Sequence, residues 1–208
     1  MNARVTAQEF HAAEGIGDWR SVYHLVSAHF RTESLDEGAA LAAAVGRVAG
    51  EGAEYVAIDV RRTGVTVSLG RRDVELARRI SRAAAELRLR ADPSVVQVVN
   101  ITVDALVGAD VLPFWRAVLG YGQIGDDYLY DPLRRGPAVG LQQLDVARAG
   151  RNRIHLDIAV PHDQAEARVA AALAAGGRLV SDEHAPKWWV LADAEGNEAC
   201  VATWMGRD

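Results

Sequence analysis

A chain of 208 residues is long enough for two small domains, each with its own core. Half the residues are apolar, a quarter are charged and the formal net charge is -5; arginine pairs such as Arg61-Arg62, Arg71-Arg72 and Arg78-Arg79 stand beside acids, so no continuous phosphate-binding stripe forms and no nucleic-acid partner is expected. Cys200 is the only cysteine, which excludes an internal disulfide and fits a reducing, cytoplasmic location, while Met1 to Phe10 lacks a signal-peptide core and no apolar run approaches the ~20 residues that span a bilayer, so no membrane partner is expected.

The first elements read as helix, hairpin, helix, hairpin, helix. A short amphipathic helix covers Thr6 to Ala13 and ends at Gly15 and Gly17, and Trp19 to Arg31 makes two short strands. Ser34, with Glu37 three positions on, has capping-box spacing. The helix that follows carries Leu35, Ala39, Ala42, Val45 and Val48 or Ala49 as its expected apolar face, and Gly50 and Gly52 stop it. Tyr55 to Val60 and Val65 to Leu69 are β-branched runs joined at Arg62-Thr63-Gly64, a hairpin signal. A second long helix places Val74, Ala77, Ile80, Ala84 and Leu87 on one face. Asp92-Pro93-Ser94 then breaks the pattern, because proline disfavours helix in the residue before it. The expected domains are 1–92 and 96–208.

The second half repeats itself. Val98 to Val103 is a strand leading to a helix through Val107, Val111, Phe114, Trp115 and Val118, ended by Leu119-Gly120-Tyr121-Gly122. About 55 residues later Ile154 to Val160 leads to a helix through Val169 and Leu173, ended by Gly176-Gly177. Strands follow each helix: Tyr128 to Tyr130 and Val139 to Leu144 in the first copy, and Arg178 to Val180, Trp188 to Leu191 and Glu198 to Trp204 in the second. A repeated strand-helix-strands unit means two similar modules packed as a pair.

Three segments carry a resemblance: Phe114-Trp115 with Leu119-Gly120-Tyr121, Asn152 to Asp157, and Trp188 to Asp193 with Glu195-Gly196-Asn197-Glu198. In this order and spacing, Val98 to Trp204 resembles the vicinal-oxygen-chelate superfamily, in its glyoxalase or bleomycin-resistance branch. The resemblance implies two βαβββ modules curved around one pocket. In the first half, Trp19, Phe30-Arg31-Thr32, Ile58 to Arg61, Val65 to Leu69 and Leu76 to Ile80 resemble the pterin-4a-carbinolamine dehydratase family. That family has a His-His-Pro motif where Glu54-Tyr55-Val56 stands here, and a histidine-bearing loop where Gly70-Arg71-Arg72-Asp73 runs straight into a helix. The fold class expected is therefore α+β: an N-terminal dehydratase-like antiparallel sheet with helices on one face, and C-terminal paired βαβββ modules. The N-terminal domain is expected to have lost dehydratase chemistry, since carbinolamine dehydration needs a proton carrier near neutral pH and the histidines suited to it are missing. His11, His24 and His29 are expected on surface or strand faces, outside any motif position.

Metal-using members of the C-terminal superfamily hold a divalent ion with two side chains from each module, on its first and last strands. The resemblance assigns those positions to Asn100, His155, Gln142 (or Gln143) and Cys200, with Glu198 on the Cys200 face. Asn100 and His155 each stand 14 residues before a helix core position, Phe114 and Val169. Neutral amides are poor ligands, so no cofactor is expected; a divalent metal at His155, Cys200 and Glu198 is the alternative. Strand alternation puts His155 and Asp157 on one face and Ile154, Leu156, Ile158 and Val160 on the other, which is expected to meet the helices. Tyr128, Tyr130 and Trp189 supply aromatic walls of the expected ligand pocket, completed by Asn100, Gln142, His155, Asp157 and Cys200. His155 and Glu198 are the candidate catalytic pair. The expected function is binding or transforming a small organic molecule without a metal. The alternatives are 4a-hydroxytetrahydrobiopterin dehydration and a metal-dependent lyase, isomerase or dioxygenase reaction. By analogy with both families, a homodimer or higher homo-oligomer is expected.

Overall fold

A computed structural model describes residues 5–109, 112, 116, 121–146, 154–174, 176–192 and 198–207. The chain divides into two compact units: unit 1 takes the residues up to Gln97 together with Val160–Gln164 and Thr203–Asp208, and unit 2 takes Val98–Ala159 and Ala165–Ala202.

Unit 1 runs α1 (Ala7–Ala12), β1 (Trp19–Val22), β2 (Leu25–Arg31), α2 (Leu35–Ala49), β3 (Val56–Arg61), β4 (Gly64–Leu69), α3 (Val74–Glu86) and the two-residue β5 (Arg90–Ala91). The sheet is antiparallel in the order β1-β2-β4-β3, with β5 added to β2. Side-chain caps start each helix. Thr6 and Glu9 form a reciprocal capping box on α1, Ser34 accepts from the Glu37 amide on α2, and Asp73 accepts from the Leu76 amide on α3. Gly50 ends α2 with φ 55, a backbone angle that glycine adopts without a Cβ clash. The helices cover one face of the sheet. There Phe10, Trp19, Phe30, Leu41, Val45, Leu69, Leu76 and Ile80 form one buried cluster, and the Trp19 indole donates to Ser81 Oγ at 3.1 Å.

The buried face of α2 is rotated from the expected one. Gly38, Leu41, Ala44, Val45 and Ala49 are buried, whereas Leu35 is 58% exposed and Ala39 is exposed. Close approach decides this: a Cβ on Gly38 would lie 2.7 Å from Val60 Cγ1, so the helix meets the β3–β4 hairpin through a residue without a side chain. Alanine at six of the helix positions left the apolar stripe undetermined from the pattern alone. In α3 the buried residues are Leu76, Ala77, Ile80, Ala83 and Ala84, and Leu87 lies beyond the helix, 40% exposed.

His11 is not a surface residue of α1. Its Nε2 accepts from the Ser21 amide at 3.1 Å, its ring stacks on Trp204 with centroids 5.2 Å apart, and His162 meets it edge-on at 5.1 Å. His162 Nδ1 accepts from Trp204 Nε1 at 3.0 Å, and Arg20 pairs with Asp163 at 2.9 Å. Unit 1 thus holds its two late segments through neutral imidazoles. Burial, joined by the charges of His162, Arg20 and Arg72 and opposed by Asp163, pulls His11 down to about 4. Burial also lowers His162.

In unit 2 come β6 (Val98–Ala105), β7 (Gly122–Ile124), β8 (Tyr128–Tyr130), β9 (Ala138–Gln143), β10 (Ile154–Ala159), α4 (Ala165–Ala174), β11 (Arg178–Ser181), β12 (Trp188–Ala192) and β13 (Glu198–Ala202). They form one eight-stranded sheet, β11-β12-β13-β10-β6-β9-β8-β7. Read outward from the central β6–β10 pair, each half has its first strand, then its last, then the two between, which is the order two related βαβββ modules give. The expected helix residues Val111, Phe114, Trp115 and Val118, the Leu119-Gly120 and Asn152-Arg153 motif positions and the Asp193 to Asn197 turn lie outside the described residues. One face carries the apolar cluster of Val103, Leu112, Leu129 and Val139, flanked by Ile101, Tyr121 and Leu141. The apolar face of β10 is not continuously covered as expected, since Leu156 is 44% exposed; on α4, Leu173 is 37% exposed.

The rotated α2 face makes a paired prediction. Leu41→Ala should cost about 2–5 kcal/mol of unfolding free energy, as for a buried leucine, and Leu35→Ala less than about 0.5 kcal/mol. Urea titration of both variants checks it, and equal losses would restore the expected face. A second prediction concerns pH. Folded His11 titrates at about 4 against 6.5 in the unfolded chain, so the unfolded state binds more protons between those values. Its stabilising contribution is complete above pH 6.5 and is lost as pH falls toward 4. His11→Gln should flatten the slope of unfolding free energy in that window; an unchanged slope would remove His11 as its source.

Candidate functional site

The site is set by the register of the two central strands. β6 and β10 are antiparallel, with Asn100 opposite Asp157 and Thr102 opposite His155. Directly opposed residues point to the same side of a sheet. The parallel neighbours extend that side: β9 adds Ala138, Gly140 and Gln142 beside Asn100, Thr102 and Asp104, and β13 adds Cys200 beside Asp157. Asn100, Thr102, Asp104, His155, Asp157, Glu198 and Cys200 therefore share one face, opposite the apolar cluster. Asn100, Thr102, Asp104 and Cys200 are buried, and His155, Asp157 and Glu198 are partly buried.

His155 is the centre of this face. Its Nδ1 lies 3.4 Å from Asp157 Oδ1 and 3.8 Å from Cys200 Sγ, and its Nε2 lies 3.6 Å from Asp104 Oδ1. Thr102 Oγ1 donates to Asp157 Oδ2. The contact with Asp157 is the main influence that raises the His155 pKa above its ordinary value; burial opposes it, and the charges of Asp157, Asp104 and Glu198 add to it. For Asp157, burial pushes the carboxyl upward, but hydrogen bonds from His155 and Thr102, the His155 charge and a Cys200 hydrogen bond outweigh it and hold the group below the ordinary carboxylate value.

Several positions differ from the expected arrangement. The resemblance pairs Gln142 with Cys200 across the two modules. In the registers, Thr102 takes the place in β6 that Asp157 takes in β10; the β9 neighbour of Thr102 is Gly140 and the β13 neighbour of Asp157 is Cys200. Gly140, which has no side chain to offer, is thus the counterpart of Cys200. Gln142 falls two residues further along, exposed beside Asp104, and the neighbouring Gln143 donates to the carbonyls of Leu106 and Leu144. On β12, Val190 pairs with Cys200 and Trp188 with Ala202, which puts Trp188 on the His155 face and Trp189, opposite Val201, on the other. Trp189 is accordingly not a wall of this face; the choice between adjacent tryptophans turns on a register that only the pairing reveals. Trp188 is flanked by His184, ring centroids 4.5 Å apart, and by Lys187 at 5.1 Å.

Tyr128 stands opposite Gly140 and so shares the His155 face. Burial raises its pKa, with Asn100 hydrogen bonding and Arg134 opposing. Tyr130, on the same side, packs over Gly122, where a Cβ would come within 2.6 Å of its ring, and lies under Arg134 at 5.3 Å. Asp104 and Thr102 went unread in the sequence. The alternation that marks His155 and Asp157 on β10 also marks 100, 102 and 104 on β6, and that signal would have found both.

His155, Asp157 and Cys200 each offer a ligand atom, and the three atoms lie within 4.8 Å of one another. Nitrogen, carboxylate oxygen and sulfur are the donors that zinc takes, so these residues fit a divalent ion of that class. The argument against a metal from neutral Asn100 and Gln142 does not apply to this set, because Asp157 and Asp104 bring carboxylates to the histidine.

Residues 100–202 match the family described as glyoxalase-like domain. No curated protein matches the sequence. Among solved structures, the chain is similar to an NAD-dependent benzaldehyde dehydrogenase from Legionella pneumophila at 8% identity and TM-score 0.40, covering 50% of this chain and 97% of that one. It is also similar to a glyoxalase/bleomycin resistance protein/dioxygenase superfamily member from Vibrio splendidus 12B01 at 16% identity and TM-score 0.33, covering 52% of this chain and 99% of that one.

Thr102→Val should destabilise the chain by about 1–3 kcal/mol, because it removes a donor from the partly buried Asp157 while keeping the side-chain shape. Denaturant unfolding measures this; a change under about 0.5 kcal/mol would show that Asp157 does not depend on Thr102.

Proposed function

We propose that unit 2 binds a small organic molecule on the polar face centred on His155, and that His155 contacts it directly. The observation that carries this reading is one sheet face bearing Asn100, Thr102, Asp104, His155, Asp157 and Cys200 while the opposite face is apolar core. Buried polar groups cost free energy unless they are paired, so such a concentration is retained for function more readily than for stability. Tyr128, Tyr130 and Trp188 on the same side supply the aromatic contact that small-molecule sites combine with a few polar groups. His155 carries a proton that it can donate to a bound oxygen, Asp157, itself held by Thr102, orients its ring, and Glu198 on the same face is the second candidate for proton transfer. A divalent ion held by His155, Asp157 and Cys200 would add Lewis acidity at the same place.

Unit 1 supports a scaffold role. Tyr55 Oη donates to Asp73 Oδ2 at 3.0 Å, and Glu54 pairs with Arg71 at 3.6 Å with both side chains exposed. These residues serve a helix cap and the surface rather than proton transfer. The intact chain is therefore expected to show no turnover of 4a-carbinolamine above background. Turnover abolished by Glu54→Gln would reverse that reading. Exposed Leu156, Leu173, Leu179 and Val180 in unit 2 support self-association, which light scattering of the full chain checks.

The ligand reading is tested with chelator-treated protein and a panel of aromatic and carboxylate fragments, followed by ligand-observed NMR. Wild type should bind a subset, and His155→Gln, still folded by circular dichroism, should lose those fragments. Identical fragment binding by the two proteins would move the site away from His155.

A further inference from the structure

We infer that unit 1 carries a ligand site of its own: a cleft between the entry to α1, the β1–β2 turn and the 203–207 segment, which takes a small molecule joining a flat ring to a phosphate-type dianion. All of its walls belong to unit 1, so it is independent of the His155 face. Glu54, Tyr55 and Val56, which stand at the dehydratase motif, do not line it, and Trp204 and Arg207 come from outside the stretch that resembles that family.

The cleft has a volume of about 440 Å³, within the roughly 300–1,000 Å³ range of small-ligand sites. Its walls are Tyr23, His24, Arg72, Trp204 and Arg207, closed by Val5 and Thr6. Two guanidinium groups and no carboxylate side chain are among these described residues, in a chain whose formal net charge is -5. Glu9, which bonds Thr6, is committed to the α1 capping box, where it accepts from the Thr6 amide at 2.9 Å and the Thr6 hydroxyl at 3.1 Å. A guanidinium offers a planar fork of N–H donors that matches phosphate oxygens, and two of them in one cleft balance a dianion better than a monoanion.

The walls are fixed before any ligand arrives. Arg72 Nη1 donates to the Val5 carbonyl at 3.4 Å. Arg207 Nε donates to the Thr203 carbonyl at 2.8 Å and its amide to the Trp204 carbonyl at 3.1 Å, in a tight turn that Gly206 permits with φ 69. The Arg207 guanidinium lies 5.5 Å from the centroid of the Tyr23 ring. His11 stacks on the Trp204 indole and His162 Nδ1 accepts from its Nε1 at 3.0 Å, so the indole is held where it borders the cleft. Rings and cations already in place lose little freedom on binding.

Tyr23 supplies an independent observation. Val22 pairs with Leu25, so Tyr23 and His24 make a two-residue hairpin turn, and Tyr23 takes φ 53. That left-handed angle suits glycine, asparagine or aspartate in such a turn and is unfavourable for tyrosine. Backbone strain at a residue whose side chain borders a cleft marks a use for that side chain. Here the ring gives the cleft a flat wall beside a cation.

The test uses the full chain and 2-naphthyl phosphate as probe at about pH 7.5, where the monoester is mostly a dianion. Binding is read from the indole N–H resonance of Trp204, identified by its loss in Trp204→Phe. The probe should shift that resonance saturably, while 2-naphthol and inorganic phosphate should each bind about tenfold more weakly or worse. Arg72→Gln and Arg207→Gln should each weaken the probe by about tenfold or more. Tyr23→Gly, which relieves the turn, should weaken it with no loss of stability in urea, a split that a purely structural role for Tyr23 would not give. An unmoved Trp204 resonance, or affinity unchanged in both arginine variants, overturns the site. Equal affinity for 2-naphthol overturns the dianion, and equal affinity for inorganic phosphate or an indifferent Tyr23→Gly overturns the ring. If one arginine variant fails to fold, the other and the two truncated probes still decide. Binding should be unchanged in His155→Gln, so this site and the one on unit 2 fail separately.

Discussion

The antiparallel register of β6 on β10 is the constraint on which unit 2 depends. Side chains in a strand alternate with a period of two, so a slip of one residue would send His155 and Asp157 into the apolar layer and bring Leu156 and Ile158 to the polar face. With Asn100 on Asp157 and Thr102 on His155, the polar residues of both first strands fall together and Val103 falls with Leu129 and Val139 on the other side. The last strands then dock in parallel beside the first, and their register decides which residue of each is delivered to the centre. It delivers Cys200 in one module and Gly140 in the other. The relation between the modules survives in the backbone and is lost in the side chains, which concentrates the chemistry in the second module.

Charge compensation follows from that geometry. Two carboxylates with little access to water stand within 4 Å of one imidazole, and Glu198 adds to the field. An isolated buried carboxylate is strongly disfavoured, and a positive partner beside Asp104 and Asp157 offsets that cost. Protonated His155 is one such partner and a divalent cation is another. Either way the face is polarised around one ring whose two nitrogens have different neighbours, and that inequality gives the ring a direction.

Unit 1 rests on a different balance. Its core is large and apolar, with Phe10, Trp19 and Phe30 at 1% exposure or less, and its helices are capped by ordinary side-chain oxygens. What it adds is the capture of two later stretches of chain, Val160–Gln164 and Thr203–Asp208, by His11, Arg20 and their partners. These contacts need His11 and His162 as hydrogen-bond acceptors, hence neutral, and burial keeps them so.

Local signals in the sequence determined the elements. Ser34 with Glu37, the β-branched runs flanking Arg62-Thr63, and the repeat that returns after about 55 residues define the helices, the hairpins and the paired modules, because capping, turn chemistry and side-chain period act over a few residues. The alternation of β10 likewise placed His155 and Asp157 on one face before any pairing was known. Three things were decided only by the tertiary structure. The α2 face was set by how closely Gly38 approaches Val60, the choice of Trp188 over Trp189 by the β12–β13 register, and the choice of Gly140 over Gln142 as the counterpart of Cys200 by the β6–β9 register. Each is a relation between residues far apart in the chain, and a period of two or of three and four states which residues share a side but not which side meets which neighbour. Asp104 shows the same limit: its place on β6 is local, but its role depends on a histidine 51 residues away that only the pairing of two strands brings within reach.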